Sequence, residues 1–173
     1  MKVLGIFAPL ALVASASVGA QSIPRSQPGS VSQSVAGTQI EIAYRRPTAR
    51  GRALFGALVP WGRLWSPSAD TAASVTFSAP VQINGAPLAA GTYSLWAVPD
   101  SASWTLVFNS IAHVHHLRYP GEEADALRLK VSPVTGEHVE SLIFAFPMVD
   151  ADSARLELRW GTTVLPMLVR ARR

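Results

Sequence analysis

The feature that most constrains the fold of this chain is a period-two alternation of apolar and polar residues. Between residues 39 and 44, the larger side chains of Ile40, Ile42 and Tyr44 alternate with smaller or polar ones. Similar alternation recurs near residues 74–77, 93–97, 104–108, 127–131, 142–146 and 156–160. Because successive side chains of a strand point to opposite faces, this pattern predicts half-buried β-strands rather than helices.

Turn signals separate these segments. Asn84-Gly85 tolerates positive φ and is typical of a tight turn, and Pro99-Asp100 follows a later apolar segment. Together they predict an all-β, single-domain antiparallel β-sandwich or partly closed barrel of roughly 8–10 strands. We expect only two short helical turns, near residues 50–59 and 121–127. Gly161 is expected to end the segment at residues 156–160 before a last strand through Val164 to Val169. Pro166 is expected to place that last strand at an edge or a bulge, because proline has no N–H for the ladder.

The N-terminus has the pattern of a targeting segment. Lys2 precedes a nearly continuous apolar run over Val3–Val13, and small residues end at Val18-Gly19-Ala20. We therefore predict a signal peptide at residues 1–20, a flexible leader at 21–34 and one β domain at 35–173. This processing predicts a secreted or periplasmic protein. An apolar run of about 11 residues is shorter than the roughly 20 that cross a bilayer, so no transmembrane segment is expected.

Composition narrows the chemistry. The 173-residue chain has no cysteine, which excludes disulfides, thiolate zinc sites and a thiol nucleophile. The formal net charge is +4, and five arginines lie within twenty residues, at Arg45, Arg46, Arg50, Arg52 and Arg63. No nucleic-acid motif accompanies them, so we interpret the cluster as a solvated face and expect no nucleic-acid partner.

Several short motifs in the first half of the chain occur in a characteristic order. They are Ser32-Gln33, Arg46-Pro47, Gly51-Arg52, Phe55-Gly56, Leu58–Gly62, Trp65, Phe77, Ile83–Gly85, Ala90–Leu95, Pro99 and Trp104-Thr105. In these motifs the chain resembles the domain of unknown function 2911 (DUF2911) family of secreted bacterial proteins. A looser resemblance continues through Tyr119, Asp125 and Arg128.

The resemblance implies an exported, mostly β domain and carries no established activity. One segment departs from the family pattern. After Trp65 the family usually shows an arginine, a threonine, a glycine, an alanine and an asparagine, whereas this chain has Ser66–Asp70. A site that depends on that arginine or asparagine is therefore not carried over to this chain.

A histidine cluster at residues 113–116 is the sharpest chemical motif. On an extended strand, His113 and His115 point to one face and His116 to the other. Two imidazoles on one face can chelate a divalent metal such as zinc or copper. Candidates for a further ligand are Glu122, Glu123, Asp125 and His138. The alternative is a solvent-facing polar segment without an ion, and no other cofactor is expected.

Residues for hydrolysis are present without the motif that organises them. Ser94 or Ser110 could stand beside His113 and Asp125, but Gly-x-Ser-x-Gly is absent from the chain. No pair of carboxylates is singled out for glycoside cleavage either. The sequence therefore favours a protein that is not an enzyme.

The tryptophans suggest a binding role. Trp96 and Trp104 follow strand alternation and are expected in the core, whereas Trp61 and Trp65 lie in a Gly- and Pro-rich loop. Aromatic faces stack on ligands, and arginine binds carboxylates bidentately. The leading interpretation is a non-enzymatic ligand- or partner-binding module that uses the Arg46–Asp70 loop. Its expected contacts are Arg52, Trp61, Arg63 and Trp65. The pattern leaves open whether the partner is a small molecule, a glycan or a protein, and it does not define an oligomeric state.

Overall fold

A computed structural model of the protein describes residues 25–172, so the predicted signal peptide lies outside the described residues. Within this range ten strands follow one another, interrupted by one short 3₁₀ turn at Glu122–Ala124. The strands are β1 Gln27–Val35, β2 Thr38–Arg46, β3 Ala73–Phe77, β4 Val81–Ile83, β5 Ala86–Leu88, β6 Gly91–Val98, β7 Trp104–Asn109, β8 Asp125–Val131, β9 Val134–Val149 and β10 Ser153–Ala171. No helix in residues 25–172 has the length and apolar character needed to cross a membrane.

The strands form two antiparallel sheets that pack face to face. One has six strands in the order β1-β2-β3-β6-β7-β8, and the other has four in the order β5-β4-β10-β9. The two sheets do not join into a barrel. The predicted all-β sandwich is confirmed, and the partly closed barrel is wrong because no ladder connects the edges of the two sheets among the described residues.

The first strand begins inside the segment predicted to be a flexible leader. β1 starts at Gln27 and pairs with β2 along its whole length, from Gln27 opposite Arg46 to Val35 opposite Thr38. Ala36 and Gly37 form the connecting turn with φ angles of 47° and 83°. The assignment of residues 27–34 to a leader is therefore wrong. Hydrogen bonding to β2 stabilises a strand whose own sequence has few apolar side chains.

The last strand is longer than the sequence indicated. The expected break at Gly161 is a bend with a φ of +58° and shifted register, and β10 continues to Ala171. β10 also lies between β4 and β9 rather than at an edge. Pro166 is accommodated because the pairing with β9 ends at Val164 and the pairing with β4 begins at Val169.

The core lies between the two sheets, with a smaller cluster on the outside of the six-stranded sheet. Trp104 is 1% exposed in the main core, and Trp96 is 2% exposed in the outer cluster, where Val114 and Tyr119 pack over it. Both tryptophans are buried as predicted. The helical turn expected near residues 50–59 is a series of irregular turns, whereas the one expected near residues 121–127 is the 3₁₀ turn.

Candidate functional site

The loop between β2 and β3, residues 47–72, is fastened to both sheets. On the four-stranded side, Ala49 N donates to Glu140 O at 2.9 Å, in the edge strand β9. On the six-stranded side, the backbones of Trp65 and Ala97 exchange two hydrogen bonds of 2.8 and 2.7 Å. The β2–β3 loop is therefore held by hydrogen bonds to both sheets and is not a free surface loop.

An aromatic cluster lies beneath this loop. The ring of Phe55 is centred 4.7 Å from that of Trp104, 5.9 Å from Trp65 and 6.1 Å from Trp160. The indoles of Trp65 and Trp160 are stacked, with centroids 6.0 Å apart. Trp65 packs against the main core, whereas Trp61 stays 48% exposed. Of the two loop tryptophans, Trp61 is the one whose ring is available to a ligand.

Trp61 and Arg52 line one wall of a cleft of about 480 Å³, which we call the Trp61 cleft. The rest of its lining comes from the β2–β3 loop and from β9 and β10 of the four-stranded sheet. The lining residues are Ala49, Gly51, Arg52, Leu54, Phe55, Trp61, His138, Glu140, Trp160, Gly161, Thr162 and Thr163. The cleft thus combines aromatic rings with polar and charged side chains.

Arg52 is held in place by its own loop. Nε donates to Ala49 O and Nη2 donates to Thr48 O, both at 2.8 Å. Nη1 has no hydrogen-bond partner within residues 25–172. Arg63 is exposed and lines none of the clefts described here. Of the four predicted contacts, the structure brings Arg52 and Trp61 together, buries most of Trp65 and places Arg63 elsewhere.

Two further residues of the Trp61 cleft were not predicted as ligand contacts. Glu140 accepts a hydrogen bond from Arg50 N at 2.6 Å through Oε1, and its Oε2 lies 3.8 Å from Nε2 of His138. Both side chains come from β9, where residues two apart share a face. The His138-Val139-Glu140 spacing in the sequence predicts that the two side chains share a face of a strand. Nothing in that spacing indicates that the β2–β3 loop lies beside them.

His113 and His115 lie at a different place, in a groove of about 810 Å³ on the outside of the six-stranded sheet. We call it the histidine groove. Both imidazoles are exposed, and the segment is not a regular strand but makes a single bridge, between His115 and Thr71. The residues that line the groove are Pro28, Gly29, Ser30, Ala43, Tyr44, Arg45, Asp70, Thr71, Ala72, Ser74, Ala112, His113, Val114 and His115.

His116 does not line that groove and is half-buried. Its ring is centred 4.8 Å from that of His115. Burial lowers the pKa of His116, and His115 lowers it further, while Asp70 acts in the opposite direction. The neutral imidazole is therefore favoured at this position.

Of the four candidates for a further metal ligand, three have other contacts, and Glu123 lies exposed in the 3₁₀ turn. Asp125 accepts hydrogen bonds from Tyr119 Oη at 2.6 Å and from Asn109 Nδ2 at 2.9 Å, and it forms an ion pair with Arg128. Glu122 also pairs with Arg128, and His138 belongs to the Trp61 cleft. Within residues 25–172 no group of three or more histidine or acidic side chains could hold a metal ion.

The serines considered as nucleophiles have structural contacts. Ser94 is buried, and its Oγ donates to Ile111 O at 2.8 Å while accepting from Trp96 Nε1 at 2.9 Å. Ser110 Oγ donates to Ala124 O at 3.0 Å. These bonds leave neither hydroxyl directed toward His113, so the serine, histidine and aspartate considered from the sequence do not form a catalytic set.

Comparisons with known proteins add one finding. Residues 26–169 match the family model described as Protein of unknown function (DUF2911). The comparisons with curated proteins and with solved structures found no match. The match covers both sheets and the whole β2–β3 loop.

Proposed function

Since the chain belongs to the DUF2911 family, we propose that it is an exported, non-enzymatic module that binds a ligand in the Trp61 cleft. Export rests on the N-terminal pattern of Lys2, the apolar run and the small residues that end at Ala20. Both a secreted and a periplasmic location fit that pattern.

The half-exposed indole of Trp61 over a polar cleft is the observation that carries the proposal. Its ring lies against Gly56, where an added Cβ would stand 2.4 Å from Nε1 of the indole. An aromatic ring held in this way offers a large contact area at little cost in conformational entropy. The guanidinium of Arg52 is likewise oriented before any ligand arrives.

The contacts of the cleft support binding rather than reaction. The Nε and Nη2 groups of Arg52 and the Oε1 atom of Glu140 all bond to loop backbone, which fixes their positions. The two candidate serine nucleophiles bond to backbone carbonyls far from this cleft. A cleft that combines aromatic rings with polar side chains held in place by hydrogen bonds is typical of a recognition site.

Ligand-observed NMR with a fragment library of neutral and anionic compounds tests the proposal. We expect hits on the wild-type protein that are lost in Trp61→Ala and weakened in Arg52→Ala. Arg63→Ala is the matched control, because it removes an exposed arginine of the same loop that lines no cleft, and it should keep the hits. Hits that persist in Trp61→Ala, or a library without hits, would reject this function.

A second candidate function is metal binding at His113 and His115. It is favoured by their placement, since both exposed imidazoles line the histidine groove. Dialysis against zinc or copper followed by metal analysis is the test. Stoichiometric metal that disappears in a His113→Ala/His115→Ala variant and persists in His138→Ala would support it. Equal metal content in all three proteins would contradict it.

A further inference from the structure

Trp61 lies between two clefts. On its far side is a smaller one of about 220 Å³, which we call the Ser101 cleft. Its lining residues are Trp61, Asp100, Ser101, Trp104, Pro133, Val134, Thr135, Thr162 and Thr163. Trp61, Thr162 and Thr163 line both clefts, so the two clefts adjoin at these residues, and we call the two together the path.

The indole stands at the middle of that path. Its ring is tilted by 31° to that of Phe55, with the two centroids 6.3 Å apart. Gly56 has a φ of +86°, and the missing Cβ is what allows the indole to lie so close to the loop. The position of Trp61 is therefore set by the turn beneath it, while 48% of its surface stays accessible.

Hydroxyl-bearing residues line the path together with Trp61. Thr162 and Thr163 line both clefts, and Ser101 and Thr135 line the Ser101 cleft. The charges have both signs, with Arg52 and Glu140 at one end and Asp100 at the other. A lining of this kind does not select strongly for a charged ligand, and it offers many hydrogen-bond donors and acceptors.

A sugar ring fits both the accessible indole and the polar lining of the path. Its C–H face packs on an aromatic ring, and its edge carries hydroxyls that form hydrogen bonds. We infer that the ligand of the Trp61 cleft is a neutral, linear oligosaccharide that passes over Trp61 and continues into the Ser101 cleft. This inference rests on the proposed function above and adds the class and the direction of the ligand. Because two clefts adjoin at one indole, the site favours a chain of several sugars as its ligand over a single sugar.

Binding of matched short and long sugars tests the inference. The probes are cellobiose and cellohexaose, maltose and maltohexaose, and N,N′-diacetylchitobiose and hexa-N-acetylchitohexaose, titrated by calorimetry into the purified protein. In at least one series we expect the hexasaccharide to bind about tenfold more tightly than the disaccharide, because it fills both clefts. Trp61→Ala should abolish binding of the hexasaccharide.

Variants in the Ser101 cleft separate this inference from the proposed function. Thr135→Tyr and, independently, Ser101→Trp should fill that cleft, remove the advantage of length and leave the disaccharide affinity unchanged. Leu58→Ala is the control, because this exposed residue of the same loop lines neither cleft. If no sugar of the panel binds, or if length and the two variants have no effect, the inference is overturned. The proposed function still stands in that case when Trp61-dependent fragment hits are found.

Discussion

The indole of Trp65 stacks on the indole of Trp160, with ring centroids 6.0 Å apart and ring planes 13° apart. Trp160 belongs to β10 of the four-stranded sheet, whereas the backbone of Trp65 is bonded to Ala97 in β6 of the six-stranded sheet. Trp65 therefore connects the two layers of the sandwich through the β2–β3 loop. Its neighbour Trp61, four residues earlier, stays at the surface and has no such role.

Trp65→Ala should destabilise the fold much more than Trp61→Ala. Removal of a tryptophan packed against a core costs about 3 kcal/mol, since its ring contacts are lost and a cavity is left. A substitution at an exposed site costs less than about 1 kcal/mol. Denaturant unfolding of the two variants beside the wild-type protein measures the difference. Equal losses would show that the stacking contributes nothing to stability.

Arg52→Ala should lower the free energy of unfolding by about 1 kcal/mol, because two hydrogen bonds to loop carbonyls are lost from a solvent-facing side chain. Arg52→Lys should recover only part of it, since an ammonium group does not reproduce the two-point fork of guanidinium. Arg63→Ala, in the same loop, should have an effect within about 0.5 kcal/mol. Denaturant titration of the three variants measures these differences in the free energy of unfolding. A decrease in Arg63→Ala as large as that in Arg52→Ala would contradict the prediction.

Stability should decrease on the acid side in a way that depends on His116. Burial, with His115 nearby, lowers the pKa of His116 below its ordinary value of 6.5. The unfolded chain then binds a proton at higher pH than the folded protein does. This contribution to stability is complete above about pH 6.5 and is lost as the pH falls through the folded-state pKa.

Urea unfolding across that pH range is the measurement for His116. His116→Gln should show a smaller fall in the free energy of unfolding on acidification than the wild-type protein. His138→Gln, which changes an exposed histidine of the Trp61 cleft, should retain the wild-type dependence. Identical slopes for all three proteins would show that His116 does not cause the effect.

Gly56→Ala and Gly37→Ala form a matched pair, because their φ angles are +86° and +83°. Each should lose about 1 kcal/mol from left-handed backbone strain. An added Cβ at Gly37 meets nothing within 4 Å, whereas at Gly56 it would meet the indole of Trp61. Only Gly56→Ala should therefore shift the indole N–H resonance of Trp61 in an NMR spectrum and weaken ligand binding. The same indole shift in both variants would refute the proposed contact.

The local pattern of the sequence was sufficient to predict most of the strands. Alternation of apolar and polar side chains follows directly from the geometry of a pleated strand with one buried face. It failed at β1, where Ser30, Ser32 and Ser34 alternate with few apolar partners and the strand depends on its pairing with β2. It also failed at Gly161, where a bend within β10 has the same local signal as the end of a strand. In both places contacts from other strands override the local preference.

By itself, the sequence determined the strand pattern and the burial of Trp96 and Trp104, and it indicated the loop that contains Trp61 as the place where we propose binding. Tertiary structure alone decided which residues share the site. Arg52 lines the same cleft as Glu140 and Thr163, about a hundred residues later in the chain, because β9 and β10 lie side by side and the β2–β3 loop is hydrogen-bonded to β9. Strand order in a sheet is set by packing of whole layers, and no local spacing of residues encodes it. This packing of the layers also buries most of Trp65 and leaves Trp61 exposed, although both lie in one short stretch of loop.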